Sequence, residues 1–200
     1  MKSTRNQEQR TESTKGKLLN AARELFSTRS YAEVSAEEIV QRAGLTRGAL
    51  YYQFGGKEGL FAELYELVQQ EVNARVDNFA ANAPDEWTSF RLGCQAFLRE
   101  CLDPVVQRII LLDAPVVLSW KGWLKEDEGY GFGSLKQGLI ASLGPNATET
   151  SSIDAKAHML LGAMNELSLW IARSETPVIA VEQASRSLDY ILDGLASQWC

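Results

Sequence analysis

Residues 35–57 read Ser-Ala-Glu-Glu-Ile-Val-Gln-Arg-Ala-Gly-Leu-Thr-Arg-Gly-Ala-Leu-Tyr-Tyr-Gln-Phe-Gly-Gly-Lys. Ser35 with Glu38 three positions on forms a capping box, opening a short helix that turns Ile39, Val40 and Ala43 inward. Gly44 ends that helix, and Thr46 caps a second one over 47–53, so the pair occupies about residues 36–55. In the second helix Leu50 and Phe54 are spaced for the inner face, while Arg47, Tyr51 and Tyr52 fall on the exposed side. A helix of this size fits the major groove of B-DNA, and the tight turn fixes its angle to the helix behind it. The segment reads as a DNA-reading pair of helices.

The charge of the 200-residue chain must be reconciled with that reading, because its net value is −6. Residues 1–60 hold ten Lys/Arg against seven Asp/Glu, whereas the remaining 140 hold ten against nineteen. Phosphate attraction depends on which face is basic, so a mildly basic head on an acidic body is compatible with DNA binding. Three cysteines, Cys94, Cys101 and Cys200, contain no CxxC pair and suggest neither a disulfide framework nor a zinc site. Cys94 and Cys101, seven residues apart on one helix face, are expected to be buried small apolar residues. His158 is the only histidine, which argues against a histidine-based metal site or catalytic triad. The first thirteen residues are polar and show no signal peptide. The most apolar run, Ile109 to Trp120, is short for a bilayer and is interrupted by Asp113 and Pro115. A soluble, intracellular and cytoplasmic protein, with no membrane association, is expected.

Outward from the central segment almost everything has helical periodicity, and the class is all-α. Residues 1–13 lack apolar anchors and are expected to form a disordered tail. Leu18, Ala22, Leu25 and Phe26 make one stripe over 14–28, and a long helix follows from Lys57 to about Ala81. Further helices are expected from about Glu86 to Leu102, from Asp103-Pro104 to about Leu112, and from about Tyr130 to Leu143. Residues 113–130 are the least clear part. Two long helices close the chain, one from Ser151 (with Asp154 as its capping partner) to about Ser174, the other from Thr176-Pro177 to about Trp199. The last carries Val181, Ala184, Leu188, Ile191, Leu192, Leu195 and Trp199 in a near-heptad stripe wider than one intramolecular neighbour needs.

Taken in order, Leu-Leu-Asn-Ala-Ala-Arg-Glu-Leu-Phe, the helix–turn–helix stretch, Arg-Gly-Ala-Leu-Tyr-Tyr-Gln-Phe and Lys-Glu-Gly-Leu-Phe resemble the N-terminal domain of the TetR family of transcriptional regulators. The likeness in sequence covers residues 14–74, and its last two blocks are specific in combination. The chain departs from the family's usual pattern at Ser30, where glycine is common, and at Tyr52 and Gln53, where histidine is common. The resemblance implies a three-helix helix-turn-helix domain over 14–74 and a larger helical effector-binding and dimerisation domain over 75–200.

Arg47 lies in the first turn of the recognition helix, ahead of Gly48 and Ala49, two small residues that let the backbone approach the groove. Lys57 opens the long helix, where its charge and the local N–H groups can meet a phosphate. Thr46, Ser35 and Ala36 are candidate phosphate anchors, with helix capping as the competing role. The resemblance implies contacts to phosphate or thymine methyl for Tyr51 and Tyr52, and adds Gln53 to the DNA-facing set. It also places an effector pocket among the middle helices, where Phe90, Cys94, Phe97, Trp120, Trp123, Phe132 and Met164 could line it and Asn165 or Glu166 orient a ligand. Ordinary core packing is the competing role for these aromatic and sulfur side chains. The aromatic content of residues 87–135 suggests a hydrophobic or aromatic effector.

A homodimer is expected through a four-helix bundle of the last two helices, using Ile153, Leu161, Leu188, Ile191, Leu195 and Trp199. The expected function is a regulator, a repressor, released from a palindromic double-stranded operator by a small molecule, without cofactor, metal or catalysis. Two alternatives stand beside it. An architectural or effector-independent DNA binder would show no preference among duplexes across salt. A small helical enzyme would need a nucleophile with its base, a metal cluster or paired inward carboxylates, and no such constellation is visible.

Overall fold

Leu18, Ala22, Leu25 and Phe26 are buried together on one side of the first helix, α1 (Lys2–Phe26). The computed structural model describes residues 2–118, 131–143 and 150–197. The tail expected to be disordered over 1–13 is instead helical from Lys2. Packing of residues 18–26 supplies the nucleus, and each added residue then gains a hydrogen bond. Lys, Arg, Gln and Glu are good helix formers, so a polar extension without anchors can still propagate.

A single turn of 3-10 helix (Tyr31–Glu33) leads into α2 (Ala36–Ala43), α3 (Arg47–Phe54) and the long α4 (Lys57–Ala80). Ser30, where the resemblance leads one to expect glycine, has φ −64 and ψ 154. That is ordinary extended backbone, and its hydroxyl and N–H bond Glu33 at 2.6 and 2.9 Å, so no glycine is required. Phe26, Tyr31 and Phe61 meet as a trio, with ring centroids 5.1 to 5.8 Å apart. They belong to a core that also holds Leu50 and Val68 and, from much later in the chain, Val106, Ile109, Ile110 and Ala114. Helix α4 crosses the boundary expected at 74 without interruption.

Helix α5 (Glu86–Glu100) packs back along α4. A π-helical segment (Val106–Asp113) follows, passing into the short α6 (Ala114–Val117). The N–H of Ala114 bonds to the carbonyl of Ile109, five residues back. Pro115 comes next; its ring crowds the carbonyl four residues before it, and a widened turn gives that carbonyl room.

Beyond this lie α7 (Phe132–Leu143), α8 (Thr150–Arg173) and α9 (Pro177–Ser197). Helix α9 packs against both α5 and α8. This corrects the expected dimer set. Leu188 and Leu195 are buried within the subunit with Leu98, Leu160 and Ile171, and Ile191 is half-buried at the margin of the same core. Ile153 is buried against Leu139, Trp87 and Phe90. The stripe on α9 looked too wide for one neighbour because it serves two. Trp199 lies outside the described residues. Arg91 fastens α5 to α9 through Asp189 and Asp193, each at 2.8 Å. Met159 and Trp170 on α8, and Ile179 and Tyr190 on α9, remain exposed; each pair is eleven residues apart and so lies on one helix face.

Candidate DNA-binding face and ligand cavity

The helix pair is held by local hydrogen bonding that its sequence dictates. The Ser35 hydroxyl accepts the N–H of Glu38 at 3.2 Å, and the Glu38 carboxylate accepts the N–H of Ser35 at 2.8 Å. Arg29, 2.7 Å from Glu38, together with the backbone and hydroxyl of Ser35, holds that carboxyl down at about 2. Gly44 takes φ 65 at the end of α2, a left-handed conformation that glycine adopts without strain, and fixes the turn. The Thr46 hydroxyl accepts the N–H of Ala49 at 3.3 Å. Ser35 and Thr46 therefore cap helices, and both residues are exposed.

Helix α3 buries Leu50 and half-buries Phe54, leaving the other side open. Tyr52 is 81% exposed and Tyr51 48%. Arg47 and Gly48 are exposed beside them, with Ala36, Ala49 and Gln53 half-buried at the margin. Four of the head's cations are held by carboxylates: Lys15 pairs with Glu63, Arg23 with Glu71, Arg29 with Glu38 and Arg42 with Glu24. Arg47 differs. Its guanidinium reaches the neutral Tyr51 hydroxyl at 3.4 Å and sits 5.5 Å from that ring's centre, and among the described residues it makes no ion pair.

Lys57 is placed otherwise than the sequence suggests. Its ammonium donates to the carbonyls of Tyr31 at 2.9 Å and Val34 at 2.8 Å, 3.8 Å from the centre of the Tyr31 ring. Burial lowers its pKa from the ordinary lysine value. The side chain ties the start of α4 to the turn before α2, committing two of its three protons. No sequence spacing announces this, because the partners are main-chain carbonyls more than twenty residues away.

The same turn is held from the other side. The buried Asp113 carboxylate accepts the N–H of Tyr31 at 2.9 Å and a proton of Arg108 at 3.0 Å. The last residue of the π-helical segment is thus hydrogen-bonded to the head. Asp113, Tyr31 and Lys57 form one continuous polar link from the body to the start of α4.

A cavity of about 490 Å³ lies on the body side of this link, within the size range of small-molecule sites. Phe90, Cys94, Phe97, Met164 and Asn165, named from the sequence as candidate pocket residues, are among those that line it. Phe132 does not; it stacks on His158 with ring centroids 4.3 Å apart. Leu161, assigned by sequence to the dimer interface, lines the cavity instead. Trp120 and Trp123 lie outside the described residues. The sequence reading missed the α4 wall of Tyr65, Gln69, Asn73 and Val76, and Ile110 and Leu111 of the π-helical segment. The buried Gln69, whose amide donates to the Tyr65 hydroxyl at 3.0 Å, was the available signal: a polar residue on an otherwise apolar helix stripe. Glu166, the alternative to Asn165, is exposed. Burial pushes the Cys94 thiol up to about 12, so it lines the wall as an un-ionised, weakly nucleophilic group.

Among the described residues no helix is long and apolar enough to cross a membrane, and no group of three His, Cys, Asp or Glu residues could hold a metal ion. Comparison with known proteins places these features in a family. Residues 18–64 match bacterial regulatory proteins of the tetR family, and residues 87–195 match the tetracyclin repressor-like C-terminal domain. The HTH-type transcriptional regulator AcrR of Shigella flexneri is 33% identical over 82 residues, covering 41% of this chain and 38% of that protein. The chain therefore aligns with only about two fifths of that relative. A TetR-family transcriptional regulator from Pectobacterium atrosepticum, solved by crystallography, is 32% identical, covers 93% of this chain and 95% of its own, and superposes with a TM-score of 0.73. Bacillus subtilis FadR, solved with stearoyl-CoA, shares the fold at a TM-score of 0.69 and 15% identity, covering 89% of this chain and 97% of its own.

Proposed function

The chain belongs to the TetR family of bacterial regulatory proteins, and from that premise we propose that it is a sequence-specific transcriptional repressor released from its operator by a small molecule. The observation that carries the DNA-reading part is Arg47: exposed, without an ion pair among the described residues, and followed by Gly48 on the open side of α3. A bidentate arginine–guanine contact discriminates by about 1–3 kcal/mol. Tyr51, Tyr52 and Gln53 flank it, and Ser35, Ala36 and Thr46 present the capped helix starts to the phosphates. Lys57 contributes its remaining proton at most.

Two copies joined through the outer faces of α8 and α9 would present two recognition helices to a palindromic operator, with half-sites about 34–36 Å apart or a multiple of that. The cavity is the effector site in this reading. A ligand against Ile110 and Leu111 bears on the π-helical segment, and Asp113 and α4 carry the displacement to the head. Operator and effector must then weaken one another by the same factor. The protein acts on DNA in the cytoplasm and catalyses no reaction.

Replacing Arg47 tests the central assignment. In a titration of a labelled operator, Arg47→Ala is expected to lose about 1–3 kcal/mol of affinity and its preference at one base pair per half-site. Unchanged affinity with unchanged sequence preference would remove Arg47 from the reading residues.

A further inference from the structure

The charges around the cavity select among effectors. Where α4 ends and α5 begins, Asp77 and Glu86 line the cavity on exposed positions, and among the described residues neither is ion-paired. No lysine, arginine or histidine is among the described residues lining it. Ala80, the last residue of α4, is also part of the lining, but its carbonyl already accepts the N–H of Ala83 at 3.1 Å and the Ser89 hydroxyl at 3.5 Å, so the charge at this end of the cavity is that of the two carboxylates. The opposing amino end of α5 is not free to receive an anion. Asp85 caps it, accepting the N–H of Thr88 at 2.8 Å. Deeper in, Phe90, Phe97, Leu135 and Met164 supply apolar and aromatic surface, and Gln69, Asn73 and Asn165 supply neutral hydrogen-bonding groups.

We propose that the cavity takes an amphipathic cation, an apolar or aromatic body bearing a protonated or quaternary amine, with the amine held at Asp77 and Glu86 and the body against Phe90, Phe97 and Met164. This rests on the reading of the cavity as the effector site. An anionic amphiphile of the same shape would bring its charge to two carboxylates, with no cation among the described lining residues to meet it. A neutral analogue keeps the apolar contacts and loses the ionic one.

The test is an isosteric series titrated into the full chain by calorimetry at pH 7: 6-phenylhexylamine, 6-phenylhexanol and 6-phenylhexanoate. The amine is expected to bind at least tenfold more tightly than the acid, with the alcohol between them. In Asp77→Asn/Glu86→Gln, whose two sites are exposed, the amine is expected to fall to within about threefold of the alcohol, while the alcohol itself is unchanged. Leu161→Trp, which fills the cavity, is expected to weaken all three, its folding checked by its melting curve. Acid binding as tight as the amine, or an amine preference that survives in the double variant, overturns the proposal and leaves the cavity as an effector site. Binding of all three that ignores Leu161→Trp, or no binding by any of them, overturns the cavity reading together with the proposal.

Discussion

Glu38 joins two tasks in one side chain: it closes the capping box of α2 and meets Arg29. Its carboxyl is held below the ordinary 4.5, at about 2, so the folded state binds its proton less readily than the unfolded chain does. The stabilisation is complete above the ordinary carboxylate range and is lost as pH falls toward 2. Glu38→Gln is therefore expected to flatten the acid limb of the stability curve in that interval, measured by urea unfolding across pH. An unchanged acid limb would show that the box contributes nothing. Capping residues such as Ser35, Glu38 and Thr46 were legible in the sequence because their partners lie within three positions. The ties that Lys57 and Asp113 make to the turn at Tyr31 were not, since those partners are main-chain atoms brought near only by folding.

Among the elements, α9 shows most clearly where periodicity stops being informative. The stripe containing Leu188, Leu192 and Leu195 was readable as apolar, and its heptad-like width pointed to another subunit. The structure covers it with α5 and α8 of the same subunit. A helix pattern records how much surface must be buried, not which neighbour buries it. Leu188→Ala is accordingly expected to cost about 2–5 kcal/mol as a core truncation. The loss should be the same at low and high protein concentration in chemical denaturation, whereas an interface residue would give a loss that depends on concentration. The π-helical segment was likewise beyond the sequence reading, which placed an ordinary helix ending near Leu112; Pro115 was visible, but not how the turns before it accommodate it.

At the scale of the whole molecule, α8 and α9 leave apolar residues uncovered, among them Met159 and Trp170 on α8 and Ile179 and Tyr190 on α9, the last 80% exposed. If these faces join two subunits, Ile179→Glu with Tyr190→Glu should sediment as a monomer at micromolar concentration and bind the palindromic operator weakly. A dimer that survives both substitutions would move the interface elsewhere. The helical class, the helix pair and most helix limits followed from the sequence alone; the cavity's α4 wall did not, because Tyr65 and Val76 sit on a stripe indistinguishable from core. One core unites Leu18 and Phe26 of α1 with Ile109, Ile110 and Ala114 of the body. Its consequence lies in cooperativity. The DNA-reading head has no separate stability to lose, so it opens together with the layer beneath it as a single unit. A molecule seated against Ile110 therefore raises the free energy needed to open residues of α1 that it never touches.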